Sequence, residues 1–115
     1  MAMPTKTSTN PRRRARTTHL LRGVDPALLN RAAQTIRVLG HADRLKIAEV
    51  LEGGDATVTE IQEQVDLPQA IVSQHLARLR AHGIVASTRE GQNVVYSLLE
   101  PKVLDILNCI RKCDL

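Results

Sequence analysis

Two groups of residues in this 115-residue chain have types and spacings suited to chemistry. Cys109 and Cys113 lie four apart near the C-terminus, which on a helix puts both sulfurs on one face. Soft thiolates select ions such as As(III), Cu(I) and Cd(II). The adjacent Arg111 and Lys112 favour thiolate over thiol and so favour oxidation chemistry. An intrahelical disulfide would need distortion, which leaves adduct or inter-subunit chemistry. The plainer reading is that cysteine packs as a small hydrophobe and two at a helix end need no function. The sequence leaves both readings open, and with them a thiophilic metal or metalloid as the sole candidate cofactor.

The second group is Gln69, Ala70, Ser73, Gln74 and Ala77, with Arg78 and Arg80 beside it. Small side chains let a backbone approach the floor of a DNA groove. Ser and Gln carry the donors and acceptors that read base edges, Gln being suited to adenine. Arginines at the flank reach phosphates and set orientation without reading sequence. No Ser/His/Asp constellation, glycine-rich phosphate loop or cleft-facing pair of acids can be assembled, so the chain reads as a non-enzyme.

These side chains need elements to hold them. Aromatics are nearly absent, with one Tyr and neither Phe nor Trp, so the core must be Leu, Ile, Val and Ala, which favours helices. Asp25-Pro26 opens a first helix carrying Leu28, Leu29, Ile36 and Leu39, which Gly40 ends. A second helix runs from about Ala42 to Leu51, with Asp43 able to cap it, and stops at Gly53-Gly54. Thr59 with Gln62 predicts a capping box for a short third helix ending near Val65. After the Asp66-Leu67-Pro68 turn, a fourth helix spans roughly Gln69 to His82 and closes at Gly83, its Val72, Leu76 and Leu79 facing inward. Two β-rich runs, 84–89 and 94–98, flank Gly91 as a hairpin, and a last helix follows Glu100-Pro101. The predicted fold is mainly α with a small β-hairpin, in the order α-α-α-α-β-β-α: a winged helix-turn-helix. Arg89 and Gln92 at the hairpin tip would flank the reading face of the fourth helix, which turns a polar helix face into a candidate double-stranded DNA interface.

The charge is unevenly placed. Residues 1–24 carry six bases and no acid, leaving ten bases against twelve acids for the remainder of a chain whose net charge is +4. Residues 1–24 therefore read as a disordered basic arm and 25–115 as the DNA-binding and dimerisation domain. The arm serves either as a salt-dependent DNA contact or as a solubilising tail. Its composition also suits a transit peptide, but Pro4 and Pro11 interrupt any amphipathic helix there. There is no apolar secretory core and no membrane-length apolar run, so a bacterial cytoplasmic protein with free thiols is expected.

The segments Leu39 to Ile47, Val72 to Val85, Arg89 to Gln92 and Tyr96 to Leu98 resemble the ArsR family of arsenic- and metal-responsive repressors. The likeness covers about residues 25–113. It implies repression of an adjacent operon, base contacts from Ser73 and Gln74, and a wing at Arg89 to Gln92. It also implies a homodimer built from the first and last helices, through Leu28, Leu29, Ile36, Val103, Ile106, Leu107 and Ile110; without it, the last helix's apolar stripe could equally pack on its own domain. Three departures stand out. Ala42-Asp43 replaces the family's frequent Pro-Thr, and the third helix lacks the paired thiols of the arsenic site. The last helix likewise lacks the His-and-acid pattern of the zinc and nickel sensors. His75 reads as a packed structural imidazole, while His41 and His82 sit near helix ends in surface or capping roles. A reading of a different class is a winged-helix module that binds protein instead of DNA.

Overall fold

The structure, a computed structural model, describes residues 22–114; most of the predicted basic arm lies outside them. Among the described residues five helices and three short strands follow one another: α1 (Pro26–Leu39), α2 (Ala42–Glu52), β1 (Ala56–Thr57), α3 (Val58–Val65), α4 (Gln69–Ala81), β2 (Val85–Glu90), β3 (Asn93–Leu98) and α5 (Lys102–Arg111). The chain divides into two units at Ala33/Gln34, within α1. In the first, Asp25 Oδ1 accepts from the Ala27 amide at 2.8 Å, the capping that Asp25-Pro26 predicts. The second holds the packed core and the winged helix-turn-helix.

That core is aliphatic throughout. Ile47, Ile61, Val72, Leu76, Leu79, Ile84, Val85 and Val103 are its largest fully buried members, and no polar residue is buried among the described residues. Val72, Leu76 and Leu79 repeat at helical spacing, so burying them fixes which face of α4 turns outward.

The element order differs from the predicted one by β1, a two-residue strand that the sequence reading missed. β1 joins β3 antiparallel, Ala56 opposite Tyr96, giving a three-stranded sheet in the order β1-β3-β2. A strand this short has no periodicity to detect. Its presence moves the cap of α3. Thr57, not Thr59, is the N-cap: its Oγ1 accepts from the Glu60 amide at 3.2 Å, and Glu60 Oε1 accepts from the Thr57 amide at 2.9 Å. Both Thr-x-x-Glu/Gln spacings fit a capping box. Pairing of Thr57 with Val95 holds Thr57 in the extended backbone that a cap requires, and places Thr59 inside the helix.

The cap of α2 is likewise His41, whose Nδ1 accepts from the Asp43 amide at 3.1 Å, so Asp43 stands within the helix and not at its cap. α5 ends at Arg111, with Lys112 as C-cap and Cys113 beyond it. The two cysteines therefore do not share a helix face as their spacing predicts. Val103 and Leu107 pack into the chain's own core, leaving Leu104 and Ile110 as the exposed part of the stripe and Ile106 half-buried.

Candidate nucleic-acid interface

α3, a turn and α4 form the helix-turn-helix. Asp66 takes left-handed backbone (φ 57°) at the end of α3, and Pro68 then begins α4 without any side-chain cap. The Pro68 carbonyl accepts from the Ile71 and Val72 amides. No side chain competes for the amides of the first turn, where Gln69 and Ala70 are exposed. Further along the same helix Ser73, Gln74, Ala77, Arg78 and Arg80 are exposed as well. The residues named from sequence on this helix are thus all exposed, while Val72, Leu76 and Leu79 are buried.

The wing is aimed by the end of that helix. Gly83 (φ 72°) donates to the Arg80 carbonyl at 3.0 Å and Ile84 donates to the Leu79 carbonyl at 3.0 Å, the paired bonds of a Schellman motif. Ile84 is buried immediately beyond it, and the chain passes straight into β2 at Val85. β2 is buried at its base and exposed toward its tip. Glu90 pairs with Asn93, so Gly91 and Gln92 form a two-residue loop. Gly91 supplies the positive φ (66°) that such a loop needs at its first position. Arg89 and Gln92 stand exposed at this end of the hairpin.

Arg44 on α2 braces α4 through His75, and sequence reasoning gave Arg44 no role. The Arg44 guanidinium donates from Nε to His75 Nδ1 at 3.2 Å and from Nη1 to the Val38 carbonyl at 2.8 Å. His75 is the packed imidazole predicted. Burial, then the neighbouring His41 and Arg44, push its pKa below the usual histidine value. His82 caps the other end of α4, its Nδ1 3.0 Å from the Arg78 carbonyl. Only three-dimensional proximity reveals the Arg44–His75 pair; the two residues are 31 apart in sequence.

At the far end of the domain Arg111 donates to Glu49 at 3.2 Å, to Asn108 at 2.8 Å and, in close contact, to Glu52. It is therefore committed to carboxylates and is not a neighbour reserved for the thiols. Cys109 and Cys113 are free and exposed. No helix among the described residues is long and apolar enough to cross a membrane.

Residues 41–87, which run from the α2 cap through the helix-turn-helix into β2, match the model of bacterial regulatory proteins of the arsR family. The biofilm growth-associated repressor of Agrobacterium fabrum is 33% identical over 88 residues, covering 74% of this chain and 75% of that protein. The crystal structure of the transcriptional repressor PagR of Bacillus anthracis superposes with a TM-score of 0.68 at 32% identity, covering 75% of this chain and 99% of that one. HlyU from Vibrio cholerae gives a TM-score of 0.70 at 27% identity over 76% of this chain and 96% of its own. With α4, the hairpin and the sheet arranged in this way, the chain belongs to the arsR family of winged helix-turn-helix, DNA-binding transcriptional repressors.

Proposed function

We propose that this protein binds operator DNA as a homodimer, with α4 in the major groove, and represses the adjacent operon. The observation that carries the reading is the exposed surface of Gln69, Ala70, Ser73 and Gln74 on α4, small enough for close approach and able to hydrogen-bond base edges. Arg78, Arg80 and Arg89 supply phosphate contacts, and Gln92 lies at the tip of the wing. The two copies meet through apolar side chains that one copy leaves exposed: Leu28 and Leu29 on the first half of α1, and Ile36, Leu104 and Ile110 in the second unit. A two-fold dimer sets two reading helices at half-site spacing. The basic arm adds sequence-independent, salt-sensitive affinity.

Release from DNA proceeds through Cys109 and Cys113, by a thiophilic metal or metalloid or by an oxidant; their exposure as free thiols supports this. The testing experiment is fluorescence anisotropy of the reduced protein on the duplex upstream of its own gene, against a scrambled duplex, with As(III), Cu(I), Cd(II) and peroxide added in turn. Preference for the upstream duplex supports the repressor reading, and equal affinity for both removes it. Release that disappears in the Cys109→Ser, Cys113→Ser double variant supports thiol gating, and indifference to all four reagents removes it.

A further inference from the structure

We propose that His41, Asp43 and His75 form a binding site for one divalent cation of the zinc class, placed between the N-terminus of α2 and the back of the reading helix. The three side chains each bring one donor atom, and these atoms lie within 4.8 Å of one another. The two imidazole centroids are 4.7 Å apart with their planes at 60°. His75 Nε2 and Asp43 Oδ2 face each other at 4.0 Å, too far for a hydrogen bond. His75 Nε2 is buried, and it has no hydrogen-bond partner. A buried ring nitrogen without a partner, flanked by a second imidazole and a carboxylate, is a gap that an ion of nitrogen-and-oxygen preference fills.

The donor set decides the class of ion. Two imidazoles and one carboxylate suit zinc and its borderline neighbours, while the absence of thiolate disfavours copper(I) and arsenic. Three protein ligands leave a position for water. Zinc bonds of about 2.0–2.1 Å bring tetrahedral donors to roughly 3.4 Å from one another, so the site contracts on binding. His41 is exposed and Asp43 half-exposed, so both can move inward. The surrounding charge moderates affinity. Lys46 Nζ lies 3.8 Å from Asp43 Oδ1, Arg44 donates to the His75 ring, and Arg78 is near enough to act on that ring electrostatically.

His41 keeps its capping role when the ion binds. Its Nδ1 accepts from the Asp43 amide, so keeping that bond requires His41 to ligate through Nε2. His75 changes more. Its Nδ1 lone pair accepts from Arg44 Nε, so the neutral ring carries its proton on Nε2. Coordination through Nε2 requires that proton to move to Nδ1, and the ring remains neutral. Arg44 Nε then loses its acceptor while Nη1 keeps the Val38 carbonyl. Occupancy of the site is thereby coupled to the bond that braces the reading helix, one residue from Gln74.

The test uses the full chain with Cys109→Ser and Cys113→Ser, which keeps thiols out of the measurement. Cobalt(II) serves as spectroscopic probe, zinc(II) is measured by competition with a chromophoric chelator, and nitrogen-15 NMR follows the His75 ring. The expected result is one ion per chain, cobalt d–d absorption without a thiolate charge-transfer band, and movement of the His75 proton from Nε2 to Nδ1. Adding His41→Asn, which retains a capping side chain but removes the imidazole, should weaken zinc binding at least tenfold with an unchanged circular dichroism spectrum. Asp43→Asn should weaken it as well. Failure to bind either ion, zinc affinity indifferent to His41→Asn, or a His75 ring that keeps its proton on Nε2 would each overturn the proposal. DNA binding by the metal-free protein is measured separately, so loss of the site and loss of the repressor reading remain distinct results.

Discussion

Arg44 Nε donates to His75 Nδ1 at 3.2 Å, tying α2 to the reading helix, and the same guanidinium holds the Val38 carbonyl at the end of α1. One side chain thus sets how α4 is presented relative to the helices behind it. Arg44→Lys removes the fork that reaches both acceptors, so it is not a conservative change. We expect it to lower stability by about 1–3 kcal/mol, the range for hydrogen bonds to charged groups and the cost of leaving acceptors unpaired. Affinity for the upstream duplex should fall with it. Chemical denaturation and anisotropy on the same preparation check the two effects.

The cap of α3 offers a direct comparison. Thr57 makes both bonds of the capping box with Glu60, whereas Thr59 is an exposed helical residue. Thr57→Ala should cost about 1 kcal/mol and Thr59→Ala much less. Urea titrations of the two variants decide it; equal losses would mean that the box contributes nothing.

Base reading and phosphate binding separate by salt. Ser73→Ala and Gln74→Ala should each reduce preference for the upstream duplex by about 1–3 kcal/mol for a base edge that is no longer read, leaving the salt dependence unchanged. Arg78→Glu and Arg89→Glu should weaken binding to all duplexes. Each should also reduce the slope of log affinity against log salt by roughly one for every phosphate left unneutralised. If instead the surface meets a protein, charge reversal leaves DNA binding untouched.

Ile36 is 60% exposed and Ile110 44% exposed, a cost that burial against a second copy removes. Ile36→Glu and Ile110→Glu should shift sedimentation from dimer to monomer without unfolding, each buried isoleucine being worth about 1.5–3 kcal/mol. A dimer that persists in both variants places the interface elsewhere. Val103→Glu is a poor probe, since Val103 is buried in its own chain and its loss unfolds the domain.

The ion pair of Arg111 with Glu52 joins the ends of α5 and α2. The hydrogen bond from Arg111 holds the Glu52 carboxyl below the ordinary glutamate value. A carboxylate depressed in the folded state stabilises fully above its unfolded pKa and ceases to do so as pH falls through the folded value. Melting temperatures of the native chain and Glu52→Gln should therefore differ at neutral pH and converge in acid, below roughly pH 4. High salt should shrink the neutral difference, because the pair is exposed.

The sequence by itself determined the helices, the helix-turn-helix and the outward face of α4. Each rests on a local rule: 3.6-residue spacing of Val72, Leu76 and Leu79, glycine at Gly83 and Gly91, and proline at the starts of helices. Packing decided what those rules left degenerate. Two capping boxes were written in 57–62, and the pairing of Thr57 with Val95 chose between them. The apolar stripe of α5 was legible, but only the core shows that Val103 and Leu107 are used internally while Ile110 is not. Four-residue spacing placed the cysteines on one helix face, yet the helix ends at Arg111, before Cys113. The approach of His41 and Asp43 to His75 was not legible at all, because side chains more than thirty positions apart meet only when α2 packs beside α4.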